Sequence, residues 1–336
     1  AMLANDEVDA LLEIVRNLRA HGVAVLYISH RLEEVEAVAD RVTVLRDGKM
    51  IGTWPARELD QRQMAELMVG RELSMLYPPK REPATAEPIL SVEALSVDHG
   101  RFSGSFNVRP GEVLGIGGMI GAGRTELIEG LMGLRPAQAR SISINGTSVA
   151  KPDVNSMMAA GLVYLTEDRK GKGLLLNEGL GPNLTLQALD MILPGLRLNR
   201  RKEASAVQSA VQDYDIRVRT LSVEAGQLSG GNQQKLLLAK VMLAEPSIVI
   251  IDEPTRGIDI GNKSQIYRFI DELVRAGKAC IVISSELPEL VGLSDRVLVM
   301  RGGRFVAELT GDDITEQNVV YAAASSRHDT EGRKRA

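Results

Sequence analysis

The chain repeats itself. The stretch "GVAVLYISHRLEEVEAVADRVTVLRDG", from Gly22, aligns without a gap on "GKACIVISSELPELVGLSDRVLVMRGG", from Gly277, with His30 falling on Ser285. Gly22/Gly277, Ile28/Ile283, Ser29/Ser284, Asp40/Asp295, Arg41/Arg296, Val44/Val299, Arg46/Arg301 and Gly48/Gly303 are identical pairs. Each copy reads as an apolar strand, a polar loop, an amphipathic helix and a β-hairpin turning at Asp47-Gly48 or Gly302-Gly303. A repeat of this size restricts the fold to two copies of one α/β unit. The second copy follows a long α/β stretch from about Pro88, whereas Leu3 already falls opposite Ile258, so the first copy is expected to begin in mid-fold. Residues 1–75 are therefore expected to be the C-terminal remnant of a first domain and 89–324 a whole second one. The Pro-rich, polar segment 76–88 reads as a linker, and the polar tail 325–336 is expected to be disordered. Without their sheet neighbours, "VAVLYIS" and "RVTVLRDGKMIGTW" are expected to expose apolar edges.

Composition narrows the class of partner. A net charge of −4 carries no basic footprint, so no nucleic-acid partner is expected. The four histidines are scattered and suggest no metal site, and the single cysteine, Cys280, fits a reducing compartment. No apolar run approaches the roughly 20 residues of a membrane helix, so any membrane link is expected to run through a partner.

Three segments carry the chemistry. "GEVLGIGGMIGAGRTELIEGLMG" reads as a strand, a glycine-rich loop and a helix, and Gly118 to Thr125 fits G-x-x-x-x-G-K-[ST] except that Arg124 replaces lysine. Such glycines let successive N–H groups converge on phosphate oxygens, and the Thr125 hydroxyl would bind Mg²⁺. By itself the less favoured alternative is a glycine-rich turn of another Rossmann-like sheet. "SIVIIDEPTRGID" supplies an all-apolar strand, Ile248 to Ile251, ending in Asp252-Glu253. A strand without alternation suits the centre of a parallel sheet, and its C-terminal tip is where such sheets hold ligands. There Asp252 would hold Mg²⁺ through water and Glu253 would polarise an attacking water. Between them, "LSGGNQQK" (Leu228 to Lys235) opens an apolar helix with a Ser-Gly-Gly turn that leaves backbone N–H groups bare for phosphate.

Loop, "LSGGNQQK" and "IIDEP" in this order resemble the ATP-binding cassette of ABC transporters, over about residues 88 to 310 and less completely over 1 to 75. The combination of "GAGRTEL", "TEDRK", "LSGGNQQK" and "DEPTRGIDIG" is similar to the second half of tandem-cassette carbohydrate importers. The resemblance implies an α/β P-loop NTPase with a mixed sheet core, an antiparallel β subdomain and a helical subdomain at about 171–228. It implies ATP and Mg²⁺ as ligands, with Gly118, Gly121, Ala122, Gly123, Arg124, Thr125 and Glu126 as nucleotide contacts and Thr125 and Asp252 on the metal. Ser229, Gly230 and Gly231, with the D-loop residue Asp259, would face an ATP held by the opposite cassette. Glu253, Glu167 (in the Q-loop position), Ser285 (in the switch-histidine position) and His30 are the implied catalytic positions. No clear aromatic for adenine stacking stands out; His99 and Phe102 are the candidates.

The implied role is the ATP-binding subunit of a sugar importer, peripheral on the cytoplasmic face of the cell membrane. Its implied partners are a membrane permease subunit, indirectly a periplasmic sugar-binding protein, and a first cassette or a second copy of the chain. Arg124 in place of lysine and Ser285 in place of histidine predict a site that binds nucleotide but hydrolyses it slowly. A non-hydrolysing regulatory module and a non-transport cassette protein are the alternatives; the short linker and the lack of a heptad run between Thr125 and Leu228 speak against the latter.

Overall fold

The computed structural model describes residues 5–29, 32–46, 48–69, 77–82, 84–193, 199–258 and 260–325. They form two compact units, Ala1–Pro78 with Gly257–Arg268, and Pro79–Arg256 with Phe269–Ala336.

In the first unit, helix α1 (Asn5–Ala20) buries Val8, Leu12 and Val15, one stripe of a 3.6-residue repeat. Helix α2 (Leu32–Val38), strands β1 (Arg41–Arg46) and β2 (Lys49–Pro55) and helix α3 (Gln61–Val69) follow. The two strands pair antiparallel from Arg41↔Pro55 to Arg46↔Lys49. Alternation in "RVTVLR" turns Val42 and Val44 to one face, where they pack with Leu59 and Met64. The ring of Tyr77 stacks on Tyr267, centroids 5.0 Å apart.

One expectation fails in this unit. Residues 23–29 form no strand, although their repeat mate does. A strand needs a hydrogen-bonding neighbour, and among the described residues of this unit none runs beside them. Leu26 and Ile28 stay 90% and 88% exposed.

The second unit runs β3 (Leu90–Val97), β4 (Phe102–Val108), β5 (Val113–Gly118), α4 (Arg124–Leu131), β6 (Ala137–Gln138), β7 (Ser141–Ile144), β8 (Thr147–Ser148), α5 (Val154–Ala159) and β9 (Leu162–Leu165). The helices α6 (Leu180–Thr185), α7 (Leu189–Ile192), α8 (Arg200–Asp213) and α9 (Gly230–Met242) come next. After them come β10 (Ile248–Asp252), α10 (Ile260–Arg275, which begins in the first unit), β11 (Ala279–Ile283), α11 (Leu287–Leu293), β12 (Arg296–Arg301), β13 (Arg304–Thr310) and α12 (Glu316–Ala324).

Among the described residues these strands make one mixed sheet in the order β8-β7-β3-β4-β13-β12-β5-β11-β10-β9, with β6 beside β3. The β9-β10-β11-β5-β12 half is parallel. The β3, β4, β7 and β8 half is antiparallel and joins through the pair Arg304↔Ser103. Every residue of β10 and β11 is buried, which is why both read as unbroken aliphatic runs. This is the α/β architecture with a mixed sheet that the motifs imply.

Lys80 and Arg81, in the segment that reads as a linker, are anchored within the second unit. Arg81 bonds to Asp271 (2.8 Å), both carboxylate oxygens of Asp295 and the Leu293 carbonyl, while Lys80 donates to the Val291 and Ser294 carbonyls. Two cations thus cap the C-terminal end of α11, where helix carbonyls concentrate negative charge.

Candidate functional site

Four adjacent parallel strands, β5, β11, β10 and β9, end side by side. At or just past their carboxyl ends come Gly118, Ser284-Ser285, Asp252-Glu253 and Glu167. This is the edge where open α/β sheets hold ligands.

The loop after β5 needs its glycines. Gly118 has φ +150° and a Cβ there would lie 2.3 Å from the Met300 carbonyl oxygen; Gly123 has φ +97° and a Cβ would lie 2.2 Å from the Phe102 ring. Gly121 also has positive φ, but with open space around it. Gly123 caps α4, and Ala122, Arg124 and Thr125 form its entry, with Glu126 half-buried in the first turn. The N-terminus of α4 faces the same edge as the acids, a disposition suited to anions.

Thr125 Oγ1 donates to Asp252 Oδ2 at 2.8 Å, and Tyr164, on β9, donates its hydroxyl to the same oxygen at 3.0 Å. Asp252 is 2% exposed and its Oδ1 has no hydrogen-bond partner. Burial pushes its carboxyl up to about 7, against the pull of those two hydrogen bonds. Glu253 adopts φ +51°, rare for a residue with a side chain, and its N–H donates to the Ile283 carbonyl at 2.8 Å. Its carboxylate accepts from Ser285 Oγ at 3.0 Å and lies 3.9 Å from the Arg124 guanidinium. Burial also raises the Glu253 carboxyl above its usual range. Arg124 is itself buried and donates Nη1 to the Ser284 carbonyl at 2.7 Å. Its guanidinium therefore rests on the end of β11, beside Glu253.

Glu167 stands further out, paired with Arg256 and partly exposed. Ser229 lies exposed at the head of α9, where its hydroxyl accepts from the Asn232 N–H; Gly230 and Gly231 are half-buried behind it. The body of α9 is buried, as its apolar run predicts. His30 and Asp259 lie outside the described residues. Phe102 is 6% exposed, packed against Gly123, so its ring offers no stacking face; His99 is exposed. Tyr164 and the Ser284 carbonyl went unnoticed in the sequence. So did the buried bond from Thr255 Oγ1 to Glu289 (2.6 Å), which ties the turn after Glu253 to α11.

The donor set suits Mg²⁺. One hydroxyl and one carboxylate with a free, buried oxygen match a cation that keeps most of its water and takes few protein ligands. Among the described residues no three His, Cys, Asp or Glu side chains cluster as a metal cage.

Residues 103–256 match the ABC transporter family. The chain is 42% identical over 326 residues to the ribose import ATP-binding protein RbsA 2 of Rhizobium meliloti (strain 1021), covering 96% of this chain and 64% of that protein. It is 43% identical over 341 residues to the xylose import ATP-binding protein XylG of Escherichia coli (strain UTI89 / UPEC), covering 98% of this chain and 66% of that one. The chain belongs to the ABC family of ATP-binding cassettes. Its fold agrees: a nucleotide-free ATP-binding cassette from an ABC transporter superposes with a TM-score of 0.59 at 20% identity, covering 71% of this chain and all of that one. The chain spans a little under two thirds of the length of these curated relatives. Membership implies nucleotide binding.

Proposed function

We propose that this chain acts as the ATP-binding subunit, or part of one, of a carbohydrate importer, energising uptake through a membrane permease. The observation that carries the reading is the Thr125–Asp252 hydrogen bond. It joins the end of the phosphate loop to the acid of the central strand, as a site for a metal-bound triphosphate requires. The identity with ribose and xylose import ATP-binding proteins supports a sugar as cargo. Among the described residues no helix is long and apolar enough to cross a membrane; the importer reading has the chain dock on a separate permease at the cytoplasmic face.

In this reading Gly118, Gly121, Ala122, Gly123, Arg124, Thr125 and Glu126 hold the nucleotide, and Thr125 with Asp252 would hold Mg²⁺. Bound there, Mg²⁺ would supply charge neutralisation to the triphosphate. Glu253 orients the attacking water. Ser229, Gly230, Gly231 and Asp259 serve an ATP across a cassette–cassette interface, and His30 serves the other site of the pair.

Hydrolysis at the Arg124 site is slow. Ser285 offers a hydroxyl but no imidazole to the γ-phosphate, Glu167 brings a charge where the family uses glutamine, and the guanidinium is engaged by the Ser284 carbonyl and Glu253. That engagement also favours a second reading, a cassette that binds nucleotide as a regulatory signal and does not turn it over. Fluorescent-ATP titration together with turnover of the purified chain tests both. The importer reading expects saturable binding and turnover below the roughly 1 s⁻¹ at the low end of ordinary enzymes, rising when permease is added. Binding with no turnover even with permease supports the regulatory reading, and absence of binding rejects both.

A further inference from the structure

Asp252 receives two donors on one oxygen and none on the other. Thr125 Oγ1 and Tyr164 OH both point at Oδ2, 2.8 and 3.0 Å away, while Oδ1 is buried without a partner. A carboxylate rotates in a broad, roughly two-fold well about its last bond, so a single hydroxyl donor leaves either oxygen free to turn away. The second donor fixes which oxygen remains. Tyr164 is well placed to do so, because its ring packs against the main apolar core and β9 is hydrogen-bonded to β10 at Ile250↔Tyr164. A buried acceptor left unpaired costs free energy and calls for a partner from outside the fold.

Resting on the nucleotide-binding reading above, we propose that Tyr164 is a positioning residue for the divalent cation: it locks the Asp252 carboxylate with Oδ2 turned inward, so that Oδ1 is held ready for a metal-bound water. Tyr164 touches neither nucleotide nor metal. It acts through Asp252 alone, and its loss shows in the metal-dependent part of nucleotide affinity.

The test compares ATP affinity in Mg²⁺ and in EDTA for the wild-type chain, Tyr164→Phe, Asp252→Asn and the double variant. Tyr214→Phe, which removes a tyrosine hydroxyl just after α8, serves as control, and thermal melts confirm folding. The expected result is a five- to tenfold loss of affinity in Mg²⁺ for Tyr164→Phe, with the EDTA value within twofold of wild type and Tyr214→Phe unchanged. In the Asp252→Asn background, Tyr164→Phe should add no further loss. Mn²⁺ bound in the presence of ADP, read by electron paramagnetic resonance, should weaken in parallel. Equal losses in Mg²⁺ and EDTA, or an unchanged Mg²⁺ effect, overturn the proposal while leaving nucleotide binding intact. A wild-type chain that binds no ATP in either condition rejects the functional reading and the proposal with it.

Discussion

Thr125 and Asp252 lie 127 positions apart in the chain, yet the threonine hydroxyl donates to the carboxylate at 2.8 Å. The bond spans two strands that are not neighbours, since β11 lies between β5 and β10. It exists because the helix after β5 starts at the same sheet edge where β10 ends. The nucleotide and metal contacts proposed for Gly118–Glu126, Asp252 and Glu253 use that edge.

Thr125→Ala removes both the hydroxyl offered to the metal and the donor to Asp252. ATP affinity in Mg²⁺ should fall about tenfold, the equivalent of about 1.4 kcal/mol, with little change in EDTA. Thr125→Ser keeps the oxygen and should stay within about threefold of wild type. Equilibrium titration in the two buffers checks this.

Asp252 makes stability depend on pH in a direction set by its raised pKa. Below about pH 4 the carboxyl is protonated in folded and unfolded chain alike and adds no penalty. Between about 4 and the folded value near 7 the unfolded chain ionises first, so the native state loses stability as pH rises; above 7 the penalty is constant. Asp252→Asn, in the nucleotide-free chain, should therefore raise the melting temperature at pH 8 and leave it nearly unchanged at pH 4. The gain should be about 1–3 kcal/mol, below the full linkage value because the new amide is itself buried.

Arg124 and Ser285 account for slow turnover only if restoring the family residues speeds it. Arg124→Lys with Ser285→His should raise ATP turnover at least about tenfold, below the roughly 10²–10⁴-fold that a fully positioned acid–base group supplies. Glu253→Gln added to that pair should return it to background while ATP still binds. A phosphate-release assay separates these outcomes, and an unchanged rate in the restored variant would place the defect elsewhere.

Much of this site was legible in the sequence because it rests on local constraints. Ile248 to Ile251 form an unbroken aliphatic run because both faces of β10 are covered, and Gly118 and Gly123 stand where a side chain would collide with Met300 or Phe102. What stayed hidden depends on distant partners. "VAVLYIS" has every residue preference of a strand, but pairing decides, and residues 23–29 have no strand beside them among the described residues. Tyr164 is one polar tip in an apolar strand, significant only because Asp252 lies on the next one. Arg81 belongs to a segment that reads only as a polar linker, yet its carboxylate partners come 190 and 214 residues later.

Arg81 therefore makes a separate prediction. It is held between two largely buried carboxylates, Asp271 and Asp295, at 2.8 and 3.1 Å. Arg81→Met leaves Asp295 without its cation in a setting that already raises its pKa, and should cost about 2–4 kcal/mol of stability. Nucleotide affinity should not change, because the cluster sits at the amino-terminal side of β5, at Val113. Chemical denaturation and ATP titration of the same variant check both halves.

The most direct measurement is calorimetric titration of ATP into the purified chain, with and without Mg²⁺, repeated on Asp252→Asn. The account predicts one saturable site per chain, tightened by Mg²⁺ in the wild type and insensitive to Mg²⁺ in the variant. Binding that ignores Mg²⁺ in the wild type, or a metal effect that survives in Asp252→Asn, would contradict it.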